Sequence, residues 1–275
     1  MELKNEYSIY ADGIRGYGLV DVDGDGYLEY YCYDNYYLYI VNITDGTVSS
    51  IYFSVPIVHV KEYTPAIGFT DFIVALNNGT LMYVDGEALT ITKSVNPFIG
   101  AVKDIEFGYD TLFVANSSGY TVEIDPADMQ VIWEYNLNIS SIVDLAVIKG
   151  IDSILGIALR LLNGTTYYVG YESKSIVWER DLCSGSIWGM LSYDFNDDGV
   201  DEIIAQNYTD GKYTIVVLWG PSGELLYTVE YESSRIFRGF KLLNVDNDSF
   251  VDILAIAYYG ELVISSKSFD VIWYS

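Results

Sequence analysis

Positive charge is scarce. Among 275 residues, Lys plus Arg number 14 against 39 Asp plus Glu, a formal net charge of −25. Phosphate backbones bind basic surfaces, so this balance excludes a nucleic-acid role. It also opposes docking on anionic lipid. Histidine occurs once, as His59, and cysteine twice, as Cys32 and Cys183. That inventory excludes a zinc cluster of the usual His and Cys type and a disulfide framework. The two cysteines either pair with each other or stay reduced in a core. Long apolar runs are missing as well. The best stretch, 142–162, is interrupted by Asp144, Lys149, Asp152 and Arg160, so no transmembrane helix is expected. The opening residues, MELKNEY, have no apolar leader core. The expectation is therefore a cytosolic chain, or one whose leader has been removed.

Aromatic and turn-forming residues are abundant: 27 Tyr and 24 Gly, with aromatics at 16% and hydrophobic residues at 51%. Tyrosine and β-branched residues favour strands, and the apolar fraction suffices for a large core rather than disorder. A short apolar triplet with an aromatic end recurs as VIW at Trp133, IVW at Trp178, LLY at Tyr227 and VIW at Trp273, with weaker copies at Tyr52 and Ile91. The steps between these anchors are 39, 42, 45, 49 and 46 residues. Within each unit, strand-like runs such as FIVALNNGT, LMYVDGE and ALTITKSV are separated by turn residues. No helical period survives these interruptions.

Six four-stranded units predict an all-β chain: a β-propeller of six blades of four antiparallel strands, forming a single domain over 1–275. The expected blades are 1–55, 56–95, 96–137, 138–182, 183–231 and 232–275. The anchor aromatics are expected to be buried wedges between blades. The pairs Asn78-Gly79 and Asn163-Gly164 predict hairpins in which both turn residues take positive φ. His59, with no marked nucleophile partner, reads as a structural residue.

One acidic pattern occurs three times, as DVDGDGYLE from Asp21, DFNDDGVDE from Asp194 and NVDNDSFVD from Asn244. Oxygen ligands stand at positions one, three and five: Asp21, Asp23 and Asp25; Asp194, Asn196 and Asp198; Asn244, Asp246 and Asp248. Position seven (Tyr27, Val200, Phe250) would offer a backbone carbonyl, and position nine (Glu29, Glu202, Asp252) a carboxylate. Hard cations such as Ca2+ take six to eight oxygens, and alternate residues of a tight loop converge on one ion. An EF-hand places its last acid at position twelve, but here those residues are Cys32, Ala205 and Ala255. The pattern therefore predicts β-hairpin calcium loops holding up to three Ca2+. Three bound divalent ions would reduce the formal charge from −25 to −19. The bland alternative is a solvated acidic turn, because Asp, Asn and Gly favour turns anyway.

Gly16, Gly189 and Gly239 each lie five residues before the first ligand. With the D-x-D-x-D-G-x-x-[DE] loops, this resembles the FG-GAP repeat of integrin α-subunit propellers and the related VCBS-type repeats of secreted microbial proteins. The resemblance covers units one, five and six through their loops, and the middle units through strand pattern. It implies a calcium-binding propeller in an extracellular adhesion, recognition or carbohydrate-associated role. Seven N-x-[ST] acceptors, at Asn42, Asn78, Asn116, Asn138, Asn163, Asn207 and Asn247, exceed the roughly two expected by chance. They favour a secreted or cell-surface glycoprotein.

No G-x-S-x-G, P-loop or dinucleotide fingerprint is present. The expected function is thus a non-catalytic recognition, adhesion or structural module of a surface protein. It would bind a protein or glycan on a propeller face, with further domains of a longer chain as other partners. It would have no nucleic-acid partner and no membrane insertion. The competing expectation is a polysaccharide lyase or hydrolase on the same scaffold. That enzyme would need an acid/base pair in a cleft, and no spacing singles out Arg15, Arg235 or Arg238.

Overall fold

Short runs of β-branched and aromatic residues, each ended by a turn, become strands throughout the computed structural model. The structure describes residues 13–66, 69–98, 100–182, 189–209, 212–231, 237–245, 250–257 and 261–274. Among these residues there are strands and turns and no helix. The first sheet comprises β1 (Gly16–Val20), β2 (Glu29–Tyr33), β3 (Tyr37–Val41) and β4 (Val48–Tyr52). The second comprises β5 (Ile57–Ala66), β6 (Phe69–Leu76), β7 (Leu81–Asp85) and β8 (Thr90–Val95). The third comprises β9 (Val102–Phe107), β10 (Leu112–Asn116), β11 (Tyr120–Asp125) and β12 (Gln130–Asn136). The fourth comprises β13 (Ile142–Lys149), β14 (Ile154–Leu161), β15 (Thr165–Gly170) and β16 (Ser175–Asp181). The fifth comprises β17 (Met190–Tyr193), β18 (Glu202–Thr209), β19 (Lys212–Trp219) and β20 (Leu225–Glu230). The sixth comprises β21 (Phe237–Leu243), β22 (Asp252–Ala257), β23 (Glu261–Ile264) and β24 (Val271–Tyr274). Every sheet is a four-stranded meander in chain order, which is the topology of a propeller blade.

The chain divides into two compact units. One takes in the described part of 1–105 with 110–116 and 120–134; the other takes in 106–109, 117–119 and the described part of 135–275. In the first unit, Leu38, Phe53, Ile57, Phe72, Val74 and Val84 form a common core. In the second, Ile148, Ala158, Ile203 and Leu218 form one cluster, and Phe195, Ile204, Val217, Ile253 and Ile264 another. The middle strands are apolar on both faces because both faces are covered. All five residues of β10 and all six of β15 are buried. Each fully buried Val, Leu or Phe of this kind contributes roughly 1.5–3 kcal/mol of transfer free energy. Last strands, by contrast, lie largely in solvent, as in β4 and β20.

That exposure corrects the expectation for the anchor aromatics. Trp133 is buried, but against Phe113 of its own sheet. Trp178 stacks on Tyr168 of its own sheet and donates its indole N–H to Gly220 O in the next, at 2.9 Å. Tyr227 stacks on Phe269 of the following sheet yet remains substantially exposed, as do Tyr52, Ile91 and Trp273. A last strand has no further strand beyond it, so an anchor's cover depends on the side chains it meets, within its own sheet at Trp133 and in the next blade as well at Trp178.

The Asn-Gly hairpins also differ from expectation. Only the glycines, Gly79 (φ 91°) and Gly164 (φ 95°), have positive φ. Gly79 N–H donates to Leu76 O and Gly164 N–H to Leu161 O, so each turn ends in a left-handed glycine. The asparagines instead accept the N–H two residues on, from Thr80 and Thr165. Asn42 does the same with Thr44. These turns supply a structural reason for part of the N-x-[ST] excess. Asn116 is only 1% exposed, which removes it as an acceptor in the folded chain, and Asn247 lies outside the described residues. A second left-handed position recurs before the last strand of every sheet, at Gly46, Leu89, Met129, Lys174, Gly223 and Phe269.

His59 joins two sheets. Its Nε2 lies 2.7 Å from Lys103 O, so the nitrogen carries the proton and donates. Burial holds the imidazole below its ordinary pKa of 6.5, against opposing contributions from Asp104 and the Lys103 carbonyl. A folded value below the unfolded one gives stability that is complete above about pH 6.5 and is lost as pH falls through the folded value. Because His59 is the sole histidine, its NMR resonance is unambiguous. It should titrate below 6.5, whereas a midpoint at or above 6.5 would contradict a half-buried ring kept neutral by desolvation.

Cys32 is fully buried with a free thiol. Cys183 lies outside the described residues, so their pairing has no structural reading. No helix of the described residues is long and apolar enough to cross a membrane.

Candidate metal centre

The three acidic segments are the connections between the first and second strands of sheets one, five and six. In each, the position-nine carboxylate is the first residue of the second strand: Glu29 in β2, Glu202 in β18 and Asp252 in β22. All three are buried, at 2%, 1% and 1% exposure. They share one contact. Glu29 Oε2 accepts Val22 N–H at 3.1 Å, Glu202 Oε2 accepts Phe195 N–H at 2.8 Å, and Asp252 Oδ2 accepts Val245 N–H at 2.9 Å. The acid at position nine thus ties the loop's second residue to the strand that follows. Sequence spacing placed the carboxylate but gave no sign of this backbone partner.

In the first loop Asp21 accepts N–H bonds from Gly24 and Gly26 at 2.7 and 3.0 Å, folding the chain round its carboxylate. Gly26 has φ +84°, a left-handed turn that glycine enters without strain. Asp23 accepts from Asp25 N–H, and Asp25 from Tyr27 N–H. Carboxylate oxygens of Asp21, Asp23 and Glu29 all lie within 4.8 Å of one another. Asp25 stays outside that group, and Tyr27 is exposed. An ionised carboxylate has about four lone-pair sites, so the backbone bonds leave these oxygens able to ligate.

Glu29 Oε1 is buried with no hydrogen-bond partner. A buried carboxylate oxygen left unpaired costs on the order of 1–3 kcal/mol or more. Burial raises the Glu29 pKa above its ordinary value, the Val22 N–H opposes the rise, and Asp23, Asp25 and Asp21 add to it. The residues present therefore fit a hard divalent cation: an unsatisfied oxygen, two further carboxylates beside it, and mutual repulsion that positive charge would relieve.

The fifth-sheet loop repeats the frame. Asp194 accepts from Asp198 N–H and Gly199 N–H, and Asp198 from Val200 N–H. Asn196 accepts from Asp198 N–H at 2.9 Å and donates Nδ2 to Glu202 Oε1 at 2.9 Å. Burial pushes Glu202 up to about 7, with the Phe195 N–H opposing and Asp198, Asp194 and Asp201 reinforcing. In the sixth sheet Asn244 is exposed at the loop's start, and Phe250 lies beneath the Lys267 ammonium at 5.1 Å. Asp246 and Asp248 lie outside the described residues.

Neither the scan of protein-family models nor the search of curated proteins gave a match. Solved structures do match. One, described as BBS1N in complex with ARL6DN and soaked with mercury, aligns with TM-score 0.66 at 12% identity over 88% of this chain and 76% of that chain. Another, described as the mitotic checkpoint complex, aligns with TM-score 0.69 at 13% identity over 98% of this chain and 82% of that one.

The fold is a six-bladed β-propeller.

At such low identity the likeness establishes the fold alone. Matches extend to 1449 chains, so the propeller by itself selects no function. What this chain can do rests on its loops.

Proposed function

We propose that this propeller is a calcium-dependent recognition module whose first-blade loop holds a structural Ca2+. Asp21, Asp23 and Glu29 would be its carboxylate ligands. The observation that carries the reading is the buried, unpartnered Glu29 Oε1 beside two other carboxylates. The ion would supply charge neutralisation and fix the loop, while the blades present recognition surfaces. The loops resemble FG-GAP and VCBS-type repeats, and the proposed setting is secreted or cell-surface, where calcium is abundant. A protein is the favoured partner, since the two similar structures described above are both of complexes.

Calorimetric titration of chelator-stripped protein tests the site. Saturable binding at or tighter than about 10⁻⁴–10⁻³ M, the range of extracellular modules, is the expected result. No heat up to several times that concentration would refute it.

A further inference from the structure

The first- and fifth-blade loops share one backbone frame and differ chemically at a single atom that matters. Each position-nine glutamate gives Oε2 to the N–H of position two. In the fifth blade its other oxygen meets position three, Asn196, whose Nδ2 donates to Glu202 Oε1 at 2.9 Å. The amide's orientation is fixed by its other end, because Oδ1 accepts Asp198 N–H and the NH2 group must then face the glutamate. In the first blade position three is Asp23. It makes the equivalent bond to Asp25 N–H, but an ionised carboxylate has no proton to donate. Glu29 Oε1 is left buried and unpaired.

We infer that Asn196 takes the place of a cation in the fifth-blade loop, so that cation dependence is concentrated in the first-blade loop. This deepens the calcium reading above and rests on it. Two further observations agree. The fifth-blade loop is braced by the preceding blade. Asp201 N–H donates to Lys149 O, Lys149 N–H donates to the Asp201 carboxylate, and Ile151 packs so closely on Gly199 that a Cβ there would meet it at 2.4 Å. At Gly26 in the first-blade loop, nothing lies within 4 Å of such a Cβ. At the ligand positions the first loop carries four acids, Asp21, Asp23, Asp25 and Glu29, against three, Asp194, Asp198 and Glu202, in the fifth, and affinity rises with ligand charge.

Reciprocal exchange in the full chain tests the inference. Asp23→Asn provides Glu29 with the donor that Glu202 already has, and Asn196→Asp removes that donor. In chelator, Asp23→Asn should melt several degrees above wild type and Asn196→Asp below it. With calcium, the gain of Asp23→Asn should shrink and its tightest site weaken by about tenfold, while the gain of Asn196→Asp should grow. Because Asp23→Asn is expected to stabilise, the test does not depend on a variant that unfolds. If wild type gains from calcium but Asp23→Asn keeps that whole gain and melts unchanged in chelator, the inference fails and the calcium reading stands. If wild type neither binds nor gains from calcium, both fail.

Discussion

In millimolar calcium the chain should melt higher than in chelator by about 5–10 °C. An ion that binds only the folded state at about 100 times its dissociation constant adds about 2.7 kcal/mol per site. For a chain of this size, 1 kcal/mol corresponds to roughly 2–4 °C. The gain should depend on pH. Glu29, the first-blade ligand, has a folded pKa raised above the ordinary 4.5. Without metal, its contribution is fully present below about pH 4.5 and is lost as pH rises through the folded value. A bound divalent ion favours the ionised form and offsets that loss, while protons compete with it at low pH. The calcium increment should therefore be larger at pH 8 than at pH 5. Equal increments at both values, measured by scanning calorimetry, would contradict the assignment of carboxylates as ligands.

Gly119→Ala should be among the most damaging single substitutions outside the core. Gly119 has φ +92°, and a Cβ there would lie 2.4 Å from the backbone oxygen of Ile139. Leu137 N–H donates to Gly119 O in the same connection, and Ser141 N–H to Ser117 O. The segment leading to the fourth sheet is thus clipped onto this turn and has no side chain to move aside. Left-handed φ costs an alanine about 1–2 kcal/mol, and overpacking adds about 1–3. The expected loss is roughly 2–5 kcal/mol, or about 5–15 °C. Gly119→Asn separates the two causes, because asparagine tolerates left-handed φ but carries the same Cβ. If Gly119→Asn melts like wild type, the close approach is not the reason for glycine here. Gly79 is placed similarly, with Phe98 O at 2.5 Å from its hypothetical Cβ.

The strand count was legible because the covered strands differ so sharply from the turns around them. LFVAN and TTYYVG are buried along their whole length, and Asn-Gly or acidic turns separate them from their neighbours. The anchor triplets marked the last strand of each blade, but not its depth. Tyr52 is 57% exposed while Trp133 is buried, and the difference lies in which side chain faces each one. The left-handed positions at Leu89, Met129, Lys174 and Phe269 carried no signal, because those residue types do not prefer that conformation; at Met129, Lys174 and Phe269 the N–H closes the turn on the carbonyl four residues back. In the acidic loops, alternation located the oxygen ligands. The bond from position nine to the N–H of position two depends on how the loop closes, which spacing alone does not specify. The contrast between Asp23 and Asn196 was visible as letters, and it acquired meaning only once Glu29 Oε1 was found unpaired and Glu202 Oε1 bonded.

The most direct measurement is a crystal structure grown in millimolar calcium, with anomalous scattering collected to identify the ion. The account predicts an anomalous peak in the first-blade loop, with oxygens of Asp21, Asp23 and Glu29 at about 2.3–2.6 Å and Oε1 of Glu29 among them. A loop without a peak, or one with water in place of the ion at that calcium concentration, would contradict it.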